Sequence, residues 1–260
     1  MNFLKLRKSR SKILKRKLIF LVFILYSTIF SQSAQEIVKR SENLIKGRTS
    51  WGIVEMSIIT PEFKRTIRME AWWVGNEKAL IEIKYPKREE GNKTLKIGNE
   101  IWLYLRNTES LVKIPPSMML QSWNGSDFTY DDLVRESNLE RDYQMEIHSS
   151  NDTVNSETCW KIELIPKPDA PVVWGKIYYW VRKIDYLPAK IEYYDERGKL
   201  VRYMEFYDVK EIRGRKLPTK WVMYNNVEKG RKTEFVLIDV KFDIKIDEKI
   251  FSFKELERKR

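Results

Sequence analysis

Cysteine and histidine are each present once in this chain of 260 residues. One cysteine excludes an internal disulfide, and one histidine excludes a His-rich metal site. Neither G-x-G-x-x-G nor G-x-x-x-x-G-K-[ST] occurs, so no glycine-rich loop is present to cradle a nucleotide phosphate. No internal repeat of fixed period and no uninterrupted apolar run of about 20 residues, the length of a membrane span, can be found. Acidic residues are absent from the first 17 positions, which hold eight Lys and Arg. The formal charge of +12 therefore misleads: without those eight the rest of the chain carries about +4. A nucleic-acid binder would concentrate Lys and Arg on one folded face, and no such partner is expected here. A hydrophobic content of 42% excludes global disorder.

After the basic start come thirteen residues, 18–30 (LIFLVFILYSTIF), without a charge, and then Ser31-Gln32-Ser33-Ala34. A positive segment, a short apolar stretch and a small-residue exit describe a secretory signal. The expected division is a signal over residues 1–33 and a single exported domain over 34–260. The alternative, an uncleaved inner-membrane anchor, is disfavoured because thirteen apolar residues are short for a span. No cysteine lies near the cleavage point, so no lipoprotein acylation site is present. Cys159, within TCWKIEL, is expected to be a buried free thiol on a strand.

Beyond the signal, Ala34, Ile37, Val38, Ser41, Leu44 and Ile45 recur at helical spacing and Gly47 supplies a stop, which predicts one amphipathic helix. The period then changes to two. Ile67, Met69, Ala71 and Trp73 alternate with Arg68, Glu70 and Trp72, and Ile81, Ile83 and Tyr85 alternate with Glu82 and Lys84. Val236, Ile238, Val240, Phe242, Ile244 and Ile246 lie in phase opposite Asp239, Lys241, Asp243 and Lys245. Such runs are strands dry on one face and wet on the other. Turn signals at Gly75-Asn76, Gly98-Asn99, Arg197-Gly198, Arg213-Gly214 and Lys229-Gly230 separate them. The count is about ten strands in an antiparallel meander. A Pro-rich loop over 166–171 and two short helical candidates over 115–137, PSMMLQSW and TYDDLVRES, interrupt the sheet.

A curved sheet with one dry face must close on itself or be covered, and the predicted helices are small beside ten strands. The fold class is mainly β (α+β): an incomplete antiparallel barrel with helices over its concave face. Nine Trp leave irregular space where they line a wall, and Met118 and Met119 add flexible side chains suited to a variable apolar guest. Each methylene removed from water contributes about 0.8 kcal/mol. A chain of about fifteen therefore gains on the order of 12 kcal/mol.

Groups with catalytic or metal-binding character fit structural roles better. His148 has no motif around it. Ser126 lies in GSDF, outside the G-x-S-x-G context of a nucleophile elbow, and is assigned to a turn. Asp127, Asp131 and Asp132 are too few for calcium. Thr129 to Asp132 fits a capping box at a helix start. No catalytic residue, metal ligand or cofactor is assigned, and no enzyme is expected.

The stretch YPKREEGNKTLKIGNEIWLYLRNTESLVKIPPSMMLQSWNGSDFTYDDL resembles the outer-membrane lipoprotein-sorting protein family, the periplasmic lipoprotein carriers. Its most specific parts are Ile101-Trp102-Leu103-Tyr104-Leu105, Lys113-Ile114-Pro115 and Gly125-Ser126-Asp127-Phe128 before Asp131-Asp132-Leu133. Downstream, GKIYYWVRKIDYLPAKIEYYDERGKLVR and KLPTKWVMYNNVEKGRKTEF look like later strands of the same family. The resemblance implies a periplasmic carrier with an apolar cavity for lipoprotein acyl chains, an inner-membrane transporter that loads it and an outer-membrane acceptor. A binding module for a glycolipid, isoprenoid or fatty acid, serving an inner-membrane transporter, is the alternative. The compact carriers hold their lid with an arginine, and none is matched to it here. The expected cavity wall comprises Ile67, Met69, Trp73, Ile81, Ile83 and Leu103. Residues 116–128 are the expected movable cover, with Met118, Met119, Leu120, Trp123 and Phe128 touching lid or cargo.

Overall fold

Helix α1, Ala34–Lys46, has the bounds that the apolar spacing predicts. Ala34, Ile37, Val38 and Ser41 are buried, while Glu36, Lys39 and Arg40 are exposed. Gly47, at φ +68°, ends the helix in a left-handed conformation that glycine adopts without a Cβ penalty. The computed structural model describes residues 32–135 and 139–258. The signal expected from the sequence lies, up to residue 31, outside the described residues. Among these, no helix is long and apolar enough to cross a membrane.

Thirteen strands follow: β1 (Thr49–Ile59), β2 (Lys64–Val74), β3 (Lys78–Tyr85), β4 (Lys93–Ile97), β5 (Glu100–Leu105), β6 (Ser110–Lys113), β7 (Tyr143–Val154), β8 (Glu157–Pro166), β9 (Lys176–Arg182), β10 (Pro188–Tyr194), β11 (Leu200–Ile212), β12 (Arg215–Asn225) and β13 (Lys232–Phe242). They form one sheet in the order β6-β5-β4-β3-β2-β1-β13-β12-β11-β10-β9-β8-β7. All neighbours are antiparallel. Two meanders thus meet where β1 pairs with β13, and β6 and β7 remain as separate edges of an unclosed sheet. The sequence counts about ten strands. Strands as short as β4, of five residues, and β6, of four, carry too little alternation to be counted that way.

Because β6 and β7 are opposite edges, the chain between them must cross the sheet. It does so over the concave face, through 3-10 turns at Pro116–Met118 and Trp123–Gly125 and helices α2 (Tyr130–Arg135) and α3 (Leu139–Asp142). Asn124 and Gly125 both have positive φ, 52° and 74°. They form a tight bend between the two helical candidates. Trp123, Phe128 and Leu139 from this segment, and Ile37 and Val38 from α1, join Met56, Met69, Ile162, Tyr179, Met204 and Phe235 of the sheet in one core.

On β13 the structure corrects the predicted phase. Ile53 of β1 faces Asp239 and the next residue, Val54, faces Leu237, so Ile238 is an extra residue in a bulge. A bulge shifts the alternation by one. Phe235 and Leu237 before it face the concave side together with Val240 and Phe242 after it, while Ile238 is 53% exposed. Val236 and Ile238 therefore do not share the dry face with Val240 and Phe242, and Ile244 and Ile246 lie past the strand.

The other face of β3–β5 is covered by the carboxyl-terminal segment. Phe251 and Leu256, the latter on helix α4 (Phe253–Glu257), pack on Leu80, Leu95 and Tyr104. The Lys93 ammonium donates to the carbonyls of Glu255 and Arg258, at 3.0 and 2.7 Å. With Lys93 and Leu95 turned to that cover, the alternation of β4 turns Thr94 and Lys96 to the concave side.

Candidate functional site

Between the sheet and its cover lies a cavity of about 370 Å³. Its walls are apolar and largely aromatic: Met69, Ala71 and Trp73 from β2, Ile81 from β3, Tyr179 from β9, Tyr193 from β10, Trp221 from β12 and Phe235 and Leu237 from β13. Wide rings on a twisted sheet do not interdigitate completely, and space remains. Lining residues run along β13 from Phe235 to Phe242, seven steps of a strand, so the hollow is a slot on the order of 20 Å long.

The two ends of the slot differ. At one end lie the β1–β2 and β12–β13 turns, since Ile59 faces both Lys64 and Lys232. There the cover is pinned by buried charge. Arg202 of β11 donates to both carboxylate oxygens of Asp132, at 2.8 Å to Oδ2, and to the Asp127 carbonyl at 2.7 Å. Its guanidinium stacks over Trp174 and Tyr193. The Asp127 carboxylate accepts from Arg231 Nε (2.8 Å), Asn225 Nδ2 (3.0 Å) and Thr233 Oγ1 (2.7 Å). Arg65 and Arg231 each donate to a backbone carbonyl of the bend, of Asn124 and Gly125, at 2.9 Å.

At the opposite end lies the β2–β3 turn, because Ser50 faces both Trp73 and Phe242. Gly75 and Asn76 of that turn are the lining residues exposed to solvent, so the slot reaches water there. Glu42 and Lys46 of α1, Lys78 of β3 and Lys96 of β4 frame this mouth. Lys96 is only 5% exposed, and its ammonium donates to the Asn76 carbonyl. Burial pushes its pKa down from 10.5 to about 8, against an opposing pull from Glu77 and with a further push from Lys46.

Of the residues expected in the wall, Met69, Trp73 and Ile81 line the cavity. Ile67 and Ile83 are buried in the same core without reaching the hollow. Leu103 packs elsewhere, in a satellite cluster with Ile101, Ile114 and Val134. Of the expected lid contacts, Trp123 and Phe128 line the cavity. The Trp123 indole donates to Thr94 Oγ1 at 3.2 Å, and the Phe128 ring meets Phe235 edge-on at 4.9 Å. Met119 belongs to the satellite cluster, and Met118 and Leu120 are 36% and 57% exposed. The reason is local: PSMMLQSW holds a single 3-10 turn at its start, and a second begins only at its last residue, Trp123, so helical spacing does not bring its methionines to the face that Trp123 occupies.

The polar groups weighed for chemistry have structural partners. The Ser126 hydroxyl donates to the Trp123 carbonyl at 2.7 Å and accepts the Phe128 amide at 3.1 Å, which makes it a turn residue. Asp132 accepts the Thr129 amide at 2.7 Å while the Asp132 amide donates back to Thr129 Oγ1 at 3.2 Å. This is the capping box read from the sequence. His148 is exposed on β7 with its ring 5.2 Å from Tyr178. Cys159 is a buried free thiol on β8.

Sequence reading missed Trp221, Phe235, Trp174, Lys96 and the Arg202–Asp132 pair. Trp221 was within reach, since Leu217, Thr219, Trp221 and Met223 alternate. Trp174 follows the Pro-rich loop, where no period marks it.

No curated protein matches the sequence. Solved structures match the fold over nearly their whole length. A DUF1329 family protein from Desulfovibrio piger is 20% identical with a TM-score of 0.78, the match covering 86% of this chain and 97% of that one. A domain described as outer membrane lipoprotein-sorting, from Vibrio parahaemolyticus, is 24% identical with a TM-score of 0.75, covering 86% and 98%. A LolA superfamily protein from Nitrosomonas europaea is 21% identical with a TM-score of 0.73, covering 86% and 100%. The sequence family that matches residues 75–258 is described as "-like: Uncharacterized protein"; the chain belongs to that family and shares the fold of these LolA-like structures.

Proposed function

We propose that this protein is a non-enzymatic periplasmic carrier that shelters the acyl chains of a lipoprotein, or of a similar lipid, in the slot beneath its cover. It receives them from an inner-membrane transporter and releases them toward an acceptor at the outer membrane. The observation that carries this reading is the unfilled apolar slot itself. A packed interior leaves few voids larger than a water molecule, and an aromatic-walled hollow of about 370 Å³ is in the range of ligand pockets, about 300–1,000 Å³. The likeness in fold to lipoprotein-sorting structures supports the same reading.

Volume also favours a second reading. A methylene is close to a water molecule in size, about 30 Å³ in the liquid. The slot thus takes at least on the order of a dozen such groups, worth about 10 kcal/mol. One acyl chain is enough to meet that capacity, which suits a fatty acid, isoprenoid or glycolipid handled with an inner-membrane transporter. Native mass spectrometry of protein isolated from its own cell envelope separates the two. A bound triacylated peptide supports lipoprotein cargo, a single small lipid supports the second reading, and protein without any lipid contradicts both.

A further inference from the structure

We propose that the cargo carries an anionic group, a carboxylate or a phosphate, which the Lys96 ammonium receives at the mouth of the slot. The inference rests on the carrier reading and adds a direction to it: chain toward Trp123 and Phe128, acidic head toward Lys96.

Register carries the argument. The slot is apolar along most of its length; apart from Asp131 and Asp132 of the cover, the charged residues of its lining, Glu42, Lys46, Lys78 and Lys96, gather at one end. Lys96 sits there because it faces Ala79 across the β3–β4 pair, next to the β2–β3 turn. Two of the three lysines are matched by carboxylates: Lys46 with Glu42 at 3.2 Å and Lys78 with Glu248 at 2.5 Å. Lys96 is the most deeply buried of the three, and its hydrogen-bond acceptor is one carbonyl, of Asn76. An ammonium has three donors, and burying one is costly; Glu77 offsets part of that cost through space. Burial has already lowered its pKa to about 8, yet at neutral pH it still carries its proton. A methionine or leucine at this position would close the wall without that cost.

A carboxylate or phosphate arriving with its chain in the slot supplies a charged acceptor in direct reach of this buried ammonium. The same group on a free ion, without a chain, gains none of the apolar burial and is not retained. Among the lipids of the second reading, the site selects those with an acidic head.

Isothermal titration calorimetry at pH 7 with three twelve-carbon probes tests this: dodecanoate, dodecyl phosphate and uncharged 1-dodecanol. The protein over residues 34–260 is expected to bind one or both anions about 10- to 100-fold more tightly than the alcohol, the scale of a hydrogen bond to a charged group. The ratio of the two anions tells carboxylate from phosphate. In Lys96→Met the anions lose that advantage, while 1-dodecanol binds as before and so reports that the slot is intact. Equal affinity of the wild-type chain for anions and alcohol overturns the inference and leaves the carrier reading standing. An anion advantage that persists in Lys96→Met also overturns it. Failure of the wild-type chain to bind any of the three overturns the carrier reading as well. The wild-type comparison needs no variant, so it decides the matter even if Lys96→Met does not fold.

Discussion

Replacing Lys96 by Met removes a buried ammonium and keeps an unbranched side chain of similar reach. In the folded chain burial lowers the lysine pKa from 10.5 to about 8, with Glu77 pulling it up and Lys46 pushing it down. That gap corresponds to about 3 kcal/mol of cost to the folded state. The sign follows from proton binding. Between pH 8 and 10.5 the unfolded chain holds the proton and the folded chain has released it, so wild-type stability rises with pH across that window. Below pH 8 both states are protonated and the whole cost is present. Methionine removes it and forfeits the hydrogen bond to Asn76, worth about 1 kcal/mol. Ligand-free Lys96→Met is therefore expected to be about 2 kcal/mol more stable than wild type at pH 7, with the advantage gone by pH 10.5. Urea unfolding followed by tryptophan fluorescence at pH 7 and pH 10.5 measures the difference. A variant less stable than wild type at pH 7, or a difference independent of pH, refutes the reasoning. A residue that weakens the empty protein is what a binding group looks like.

Three further outcomes are expected. Asp132→Ala leaves Arg202 buried beside Trp174 without its carboxylate and should destabilise the fold by about 3–5 kcal/mol, with faster hydrogen exchange over residues 122–134; exchange confined to the wild-type rate would remove the clasp from the account. Leu120→Glu, at a side chain 57% exposed, should change stability by less than about 0.5 kcal/mol and leave acyl retention as it is, and loss of retention would place Leu120 in the lid after all. Burial pushes the Cys159 thiol up to about 11, so a thiol reagent at pH 8 should modify it only after denaturation; rapid reaction of the folded protein would contradict its packing.

Local rules were enough wherever one short window decides the structure. The spacing of Ala34, Ile37, Val38 and Ser41 with Gly47 behind them determines α1. Thr129 and Asp132, three residues apart, cap α2, and alternation from Ile67 to Trp73 gives β2 its inner face. The resemblance carried by Gly125-Ser126-Asp127-Phe128 points to the right fold. What sequence could not yield depends on residues far apart in the chain. The bulge at Ile238 shows only in the pairing of β13 with the distant β1, and it changes which residues of β13 face inward. Arg202 and Asp132 are 70 residues apart and meet only once the cover crosses the sheet. Lys96 looks like a solvated strand residue until the carboxyl-terminal segment covers the face of β4 that holds Lys93 and Leu95, leaving Lys96 on the other. Met118, Met119 and Leu120 are the converse case. Their composition suits a greasy lid, but the 3-10 geometry of their segment turns them away from the slot.

The carrier account stands on hydrocarbon occupying the slot, and its own tryptophans report on that. Trp73, Trp123, Trp174 and Trp221 all line the cavity. Titration of the protein over residues 34–260 with a fatty acid brominated along its chain is predicted to quench tryptophan fluorescence saturably at one lipid per protein, with the unbrominated acid leaving the signal largely unchanged. An Ala71→Phe chain, in which a ring fills the middle of the slot, should fold and show no such quenching. Wild-type fluorescence unaffected by the brominated chain, or quenched equally in Ala71→Phe, would contradict the account.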